Sequence, residues 1–91
     1  MPRCDHVERR IFSLEGFEVI IRKADGSNMR DDMVLRNTYP YTKAAPGDWT
    51  VNEWIENLFK RYFNGYDVSV LMGDGRVAAG QMKLKTVRDS Y

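Results

Sequence analysis

Thiol and imidazole are scarce in this chain, with one cysteine and one histidine in 91 residues. A lone Cys4 has no internal disulfide partner, and small secreted domains usually carry several paired cysteines, so a reducing, cytoplasmic location is expected. Zinc takes about three or four ligands, so the cluster Cys4, Asp5 and His6 cannot complete a metal site by itself, and no cofactor is expected. A Cys nucleophile activated by His also needs a rigid pair in space, which two near neighbours in a polar segment do not supply. Excess charge is missing too: 14 Lys plus Arg against 13 Asp plus Glu leave +1, and no global field draws in phosphates or anionic lipid. Any charged partner must therefore be recognised locally. Long apolar runs are absent, as are Asn-x-Ser/Thr acceptors, and "MPRCDHVERR" is followed by no apolar segment of signal-peptide type. A soluble chain with no membrane partner, left unprocessed, is the expectation.

No stretch names a reaction. Asp25 and Asp74 belong to turns, Asp31 and Asp32 cannot share one face of a strand, and no Asp-x-Asp-x-Asp-Gly spacing marks a calcium loop. Neither "ADGS" nor "MGDGR" has the glycines and following helix of a phosphate-binding loop. Catalysis is not expected.

What is present is enough apolar material, 43% hydrophobic and 12% aromatic, for one compact core. Residues 1–10 carry no usable period and read as a flexible arm or edge segment, leaving 11–91 as a single domain. Phe17, Val19 and Ile21 alternate with Glu18, Ile20 and Arg22, the period of a half-buried strand, and Asp25-Gly26 signals a hairpin. A return strand over 29–36 follows, and a loop widened to include Ser27 sets Phe17 opposite Leu35 and Val19 opposite Met33.

The clearest element is "WTVNEWIENLFKRYFNGY". Thr50 and Glu53 form a capping box, and Trp49 and Trp54 have the spacing of a hydrophobic staple. Val51, Trp54, Ile55, Leu58, Phe59, Tyr62 and Phe63 recur at helical spacing, with Asn64-Gly65 as the stop, so the pattern predicts a helix over 51–63 whose aromatic residues fill the core. Beyond it Val68, Val70 and Met72 alternate again, and Asp74-Gly75 in a two-residue loop sets Met72 opposite Val77 and Val70 opposite Ala79. Gly80 reads as a bulge before a last strand with Met82 and Leu84 on one face and Lys83 and Lys85 on the other. The sum is an α+β two-layer sandwich, one amphipathic helix on a four- to five-stranded antiparallel or mixed sheet in the order ββαββ(β). That order is similar in outline to the β-grasp, or ubiquitin-like, arrangement, a resemblance of element order without a residue motif.

The stretch "TYPYTKAAPGDW" has two tyrosines, Tyr39 and Tyr41, around Pro40 with no structural duty readable from sequence. Proline between them favours extended backbone and sends the rings to different sides. One ring can anchor the loop while the other meets a partner, or both can pack over the helix start. The leading functional expectation is a non-catalytic protein-interaction or self-association module using loop 37–48, with Tyr39, Pro40 and Tyr41, and a strand edge. The alternative is single-stranded nucleic acid binding through Tyr66, Lys83, Lys85 and Arg88, and the third a small-ligand domain or accessory enzyme subunit using a cleft between helix and sheet.

Overall fold

Cys4, Val7, Ile11 and Glu15 follow one another at intervals of three and four residues, and they are the buried face of the first helix, α1 (Cys4–Glu15). The expected arm is therefore helical from Cys4 onward. Its stripe holds only two branched aliphatics and closes on a glutamate, so average polarity hides the period. Gly16, at φ 85°, ends the helix in the left-handed region and donates its N–H to the Phe12 carbonyl. The computed structural model describes residues 3–23, 34–35 and 37–91.

Strand β1 (Val19–Lys23) buries Val19 and Ile21, continuing the alternation that Phe17 begins. The Asp25-Gly26 turn and positions 29–33 and 36 of the expected return strand lie outside the described residues. Of that strand, Val34 forms an antiparallel bridge with Arg3, beside α1. The second helix, α2, starts as Val51–Trp54, widens into a π-helical stretch over Ile55–Phe59 and ends as Lys60–Tyr62. Its capping box is complete: Thr50 Oγ1 accepts from the Glu53 N–H at 3.2 Å, and Glu53 Oε1 accepts from the Thr50 N–H at 3.0 Å. Strand β2 (Tyr66–Val70) then pairs antiparallel with β1, Val19 opposite Val70 and Ile21 opposite Val68.

After β2 the chain makes the Asp74-Gly75 turn, but Leu71, not Met72, lies opposite Val77. The loop has three residues with Gly75 at φ 90°, and that one-residue change reverses which side chains face the core, so Ala78 is buried and Val77 exposed. No last strand forms. Met82 and Leu84 alternate with lysines as a strand would, yet Leu84 and Val87 are the buried pair of a short helix, α3 (Leu84–Asp89), too short for its period to be read. Lys83 is its extended N-cap rather than a strand residue.

The expected single helix on a four- to five-stranded sheet is thus corrected: the described residues form three helices and a two-stranded antiparallel sheet, and the β-grasp outline falls with it. Hydrogen bonding that a wider sheet would supply comes instead from helix starts that cap each other. The Val51 and Asn52 N–H groups donate to the Met82 and Gly80 carbonyls, while those of Leu84 and Lys85 donate to Trp49 and Gly47. Gly80 is a close approach, not a bulge, because a Cβ there would sit 2.4 Å from Asn52 Oδ1. Among the described residues no helix is long and apolar enough to cross a membrane.

Gly73 is a tighter approach, since a Cβ would lie 2.0 Å from the Ser90 carbonyl oxygen. Gly73→Ala should therefore lower unfolding stability in urea by roughly 1–3 kcal/mol, the usual cost of overpacking. An unchanged midpoint would contradict this packing.

Candidate binding surface

Glu15 is a carboxylate that α1 carries into the core, 1% exposed. A buried charge is tolerated only when it is paired and hydrogen-bonded, and here three donors meet it. Oε2 accepts from the Tyr39 hydroxyl at 2.5 Å, and Oε1 accepts from the Ala45 N–H and from Arg88 Nη2, both at 2.9 Å. Arg88 also donates through Nε to the Glu15 carbonyl and lies over the Phe17 ring, 5.7 Å from its centroid. Tyr39 accepts from Trp54 Nε1 at 3.1 Å, so one hydroxyl uses both its donor and its acceptor capacity. The chain of bonds joins α1, the loop, α2 and α3.

Tyr39 is consequently a core residue, 1% exposed, and its ring is closed to any partner. Pro40 is exposed, and Tyr41 is half-buried. The rings step outward from the core: Tyr39 and Tyr41 meet edge-on with centroids 5.0 Å apart, and Tyr41 meets Tyr62 at 5.7 Å with an interplanar angle of 80°. Tyr62 ends the ladder at the surface, 38% exposed. Hydrogen bonds hold the Tyr41 ring and the backbone of both outer tyrosines. The Tyr41 hydroxyl donates to the Leu58 carbonyl at 3.3 Å, Asn37 Nδ2 donates to the Tyr62 carbonyl at 2.6 Å, and Arg10 Nη2 donates to the Tyr41 carbonyl at 2.8 Å.

The helical period places Tyr62 in the core, and the π stretch explains why it is not. The Lys60 N–H reaches back to the Ile55 carbonyl, so residues five apart come onto one face, and Trp54 and Phe59 meet at 5.8 Å. From there Phe59 stacks on Phe63 at 4.9 Å, both buried, and Tyr62 is turned outward. The sequence carries no separate mark of this shift.

The residues expected to hold nucleic acid do not share a face. Tyr66 lies opposite Lys23 at the far end of the sheet, Lys83 Nζ donates to the Asp48 carbonyl, and Lys85 is held through its N–H on Gly47. Arg88 is spent on Glu15. At α1, Cys4 is buried, Asp5 pairs with Arg3 and Arg9, and His6 is exposed; among the described residues no three His, Cys, Asp or Glu side chains are grouped to hold a metal. An open cleft of about 350 Å³ lies between α1 and β1, floored by Phe12, Ile20 and Leu71. Two of its carboxylates are already engaged, Asp5 as above and Glu8 as acceptor from the Ile21 N–H at 2.8 Å. Comparison with family models, curated proteins and solved structures finds no match to this chain.

Burial, helped by the hydrogen bond to Glu15 and its charge, holds the Tyr39 phenol well above its ordinary 10.0. The unfolded chain then binds fewer protons than the folded one once tyrosines begin to ionise, so stability is complete below about pH 10 and falls as pH rises beyond it. Burial, then the nearby Tyr62, raises Tyr41 as well. Tyrosinate absorbance should show one of the five tyrosines ionising only as the chain unfolds in alkali. Tyr39→Phe should remove that step and, by leaving Glu15 and the Trp54 N–H each short of a partner, cost roughly 2–4 kcal/mol in urea. A variant as stable as the parent would remove Tyr39 from this role.

Proposed function

We propose that this chain is a small non-catalytic protein-binding module whose contact surface is the ridge of Pro40, Tyr41 and Tyr62. The observation that carries the reading is the aromatic ladder, which ends at the surface on the Tyr62 ring, packed edge-on against Tyr41. Rigid tyrosines offer large contact area at little entropic cost, and such rings dominate the energetics of protein interfaces. Loop 37–48 thus has two duties: Tyr39 and Ala45 lock it to Glu15, and Pro40 with Tyr41 faces outward beside Tyr62. The nucleic-acid reading is the weaker one, since Tyr66, Lys83, Lys85 and Arg88 are dispersed and Arg88 is neutralised.

Immobilised parent chain and a Tyr62→Ala variant, offered the same source lysate, should differ by a partner that only the parent retains. With a purified partner the loss should be about 30-fold, the weight of a central aromatic contact. Circular dichroism should show the variant folded, because Tyr62 is exposed. Sedimentation velocity would reveal self-association by the same ridge. A strictly monomeric chain with no partner, or a partner indifferent to Tyr62→Ala, would refute the proposal.

A further inference from the structure

Part of the charge described in this fold is internally paired. Arg3 and Arg9 share Asp5, Lys60 lies between Glu56 and Asp67, Arg76 holds Asp74, and Arg88 holds Glu15. Beside the tyrosine ridge, as at Lys23, Lys83 and Lys85 elsewhere among the described residues, cations stand without such a pair. Among the described residues no carboxylate lies within ion-pair distance of Arg10, Lys43 or Arg61. Arg10 bonds a neutral carbonyl, that of Tyr41, which leaves its charge uncompensated. Arg61 adjoins Tyr62 in sequence and is near enough for its charge to favour the Tyr41 phenolate against the effect of burial. Lys43 is exposed, two residues beyond Tyr41.

We infer that the partner is an acidic segment of another protein, its Asp or Glu side chains set beside an apolar residue that packs on Tyr41 and Tyr62. The inference rests on the ridge being the binding surface and adds the chemistry of what it binds. A second copy of the chain fits poorly, because a two-fold interface lays the patch on itself and brings Arg10, Lys43 and Arg61 against the same cations. Single-stranded nucleic acid fits poorly as well. It needs a track of cations and open ring faces, whereas Tyr41 is packed edge-on between two rings and three cations give a salt slope of only about −2. An acidic peptide needs no track: two or three carboxylates near one apolar anchor match both the charge and the area of the ridge.

Selection of a phage-displayed library of short random peptides on the immobilised chain tests this. Enriched sequences should be rich in Asp and Glu around an apolar residue, and the synthetic, labelled peptides should bind less tightly as salt rises. Arg61→Gln combined with Lys43→Gln should weaken them about tenfold, the sum of two partly exposed ion pairs. Tyr62→Ala should weaken them about 30-fold, as for the partner above. Peptides without acidic residues that still depend on Tyr62 would overturn the acidic chemistry and leave the ridge standing. Acidic peptides indifferent to Tyr62→Ala would overturn the ridge and the inference together. A library that enriches nothing, or a labelled oligouridylate that binds more tightly than the best peptide, would also overturn the inference.

Discussion

The Glu15 carboxylate is a negative charge with no access to water, and the rest of the structure is arranged to satisfy it. Removing one partner of such a buried pair typically costs about 3–5 kcal/mol, so its neighbours are under strong constraint. Arg88 must come from α3, Tyr39 and Ala45 from the loop, and Trp54 from α2 through the Tyr39 hydroxyl. Three segments far apart in sequence are thereby fixed to the end of α1. A hydrophobic core of Phe17, Ile11, Phe59 and Leu84 would bring them together without saying which loop residue faces inward. The carboxylate says so. It accepts from the Tyr39 hydroxyl, and that choice puts the next tyrosine on the outside.

The π stretch is the second half of the same arrangement. A regular helix would keep Leu58 and Tyr62 on the stripe begun by Val51 and Trp54, and there would be no outer ring for Tyr41 to meet. By widening over Ile55–Phe59 the helix instead sends Phe59 and Phe63 inward and leaves Tyr62 at the rim. The Tyr41 hydroxyl closes on a carbonyl of that stretch, at Leu58, so the loop and the irregular turn support each other. Irregular helical turns of this type are common at functional sites because they redirect side chains without breaking the helix.

What the sequence made legible follows from how local each cause is. The start of α2 was readable because cap, period and stop lie within one short stretch, and the alternation at Phe17, Val19 and Ile21 was readable for the same reason. For Tyr39 and Tyr41 two arrangements were open from the sequence, one ring inward with the other free or both packed over the helix start; Tyr39 is buried, and Tyr41, half-buried, packs against it. What failed to show was long-range. Glu15 lies four residues beyond Ile11 on the face of Cys4 and Val7, which is a signal, but a glutamate there reads as solvated until an arginine 73 residues away is seen to meet it. The pairing of β1 with β2, the helical course of Leu84 to Asp89 and the turn of Tyr62 to the surface depend likewise on contacts made only after collapse.

Net charge shows the same limit in another form. A balance of +1 excludes a global field, yet it says nothing of how charges are distributed once folded. Glu15 removes Arg88 from the surface account, while Asp5 occupies Arg3 and Arg9 on the flank of α1. Among the described residues no carboxylate pairs with Arg10, Lys43 or Arg61, and their charge is left where the aromatic ladder reaches solvent. Unpaired cations around a fixed apolar ridge are unfavourable to leave bare only if something acidic is at hand to cover them. In water alone they are simply hydrated, so the arrangement costs the free chain little and reserves its attraction for a partner of opposite sign.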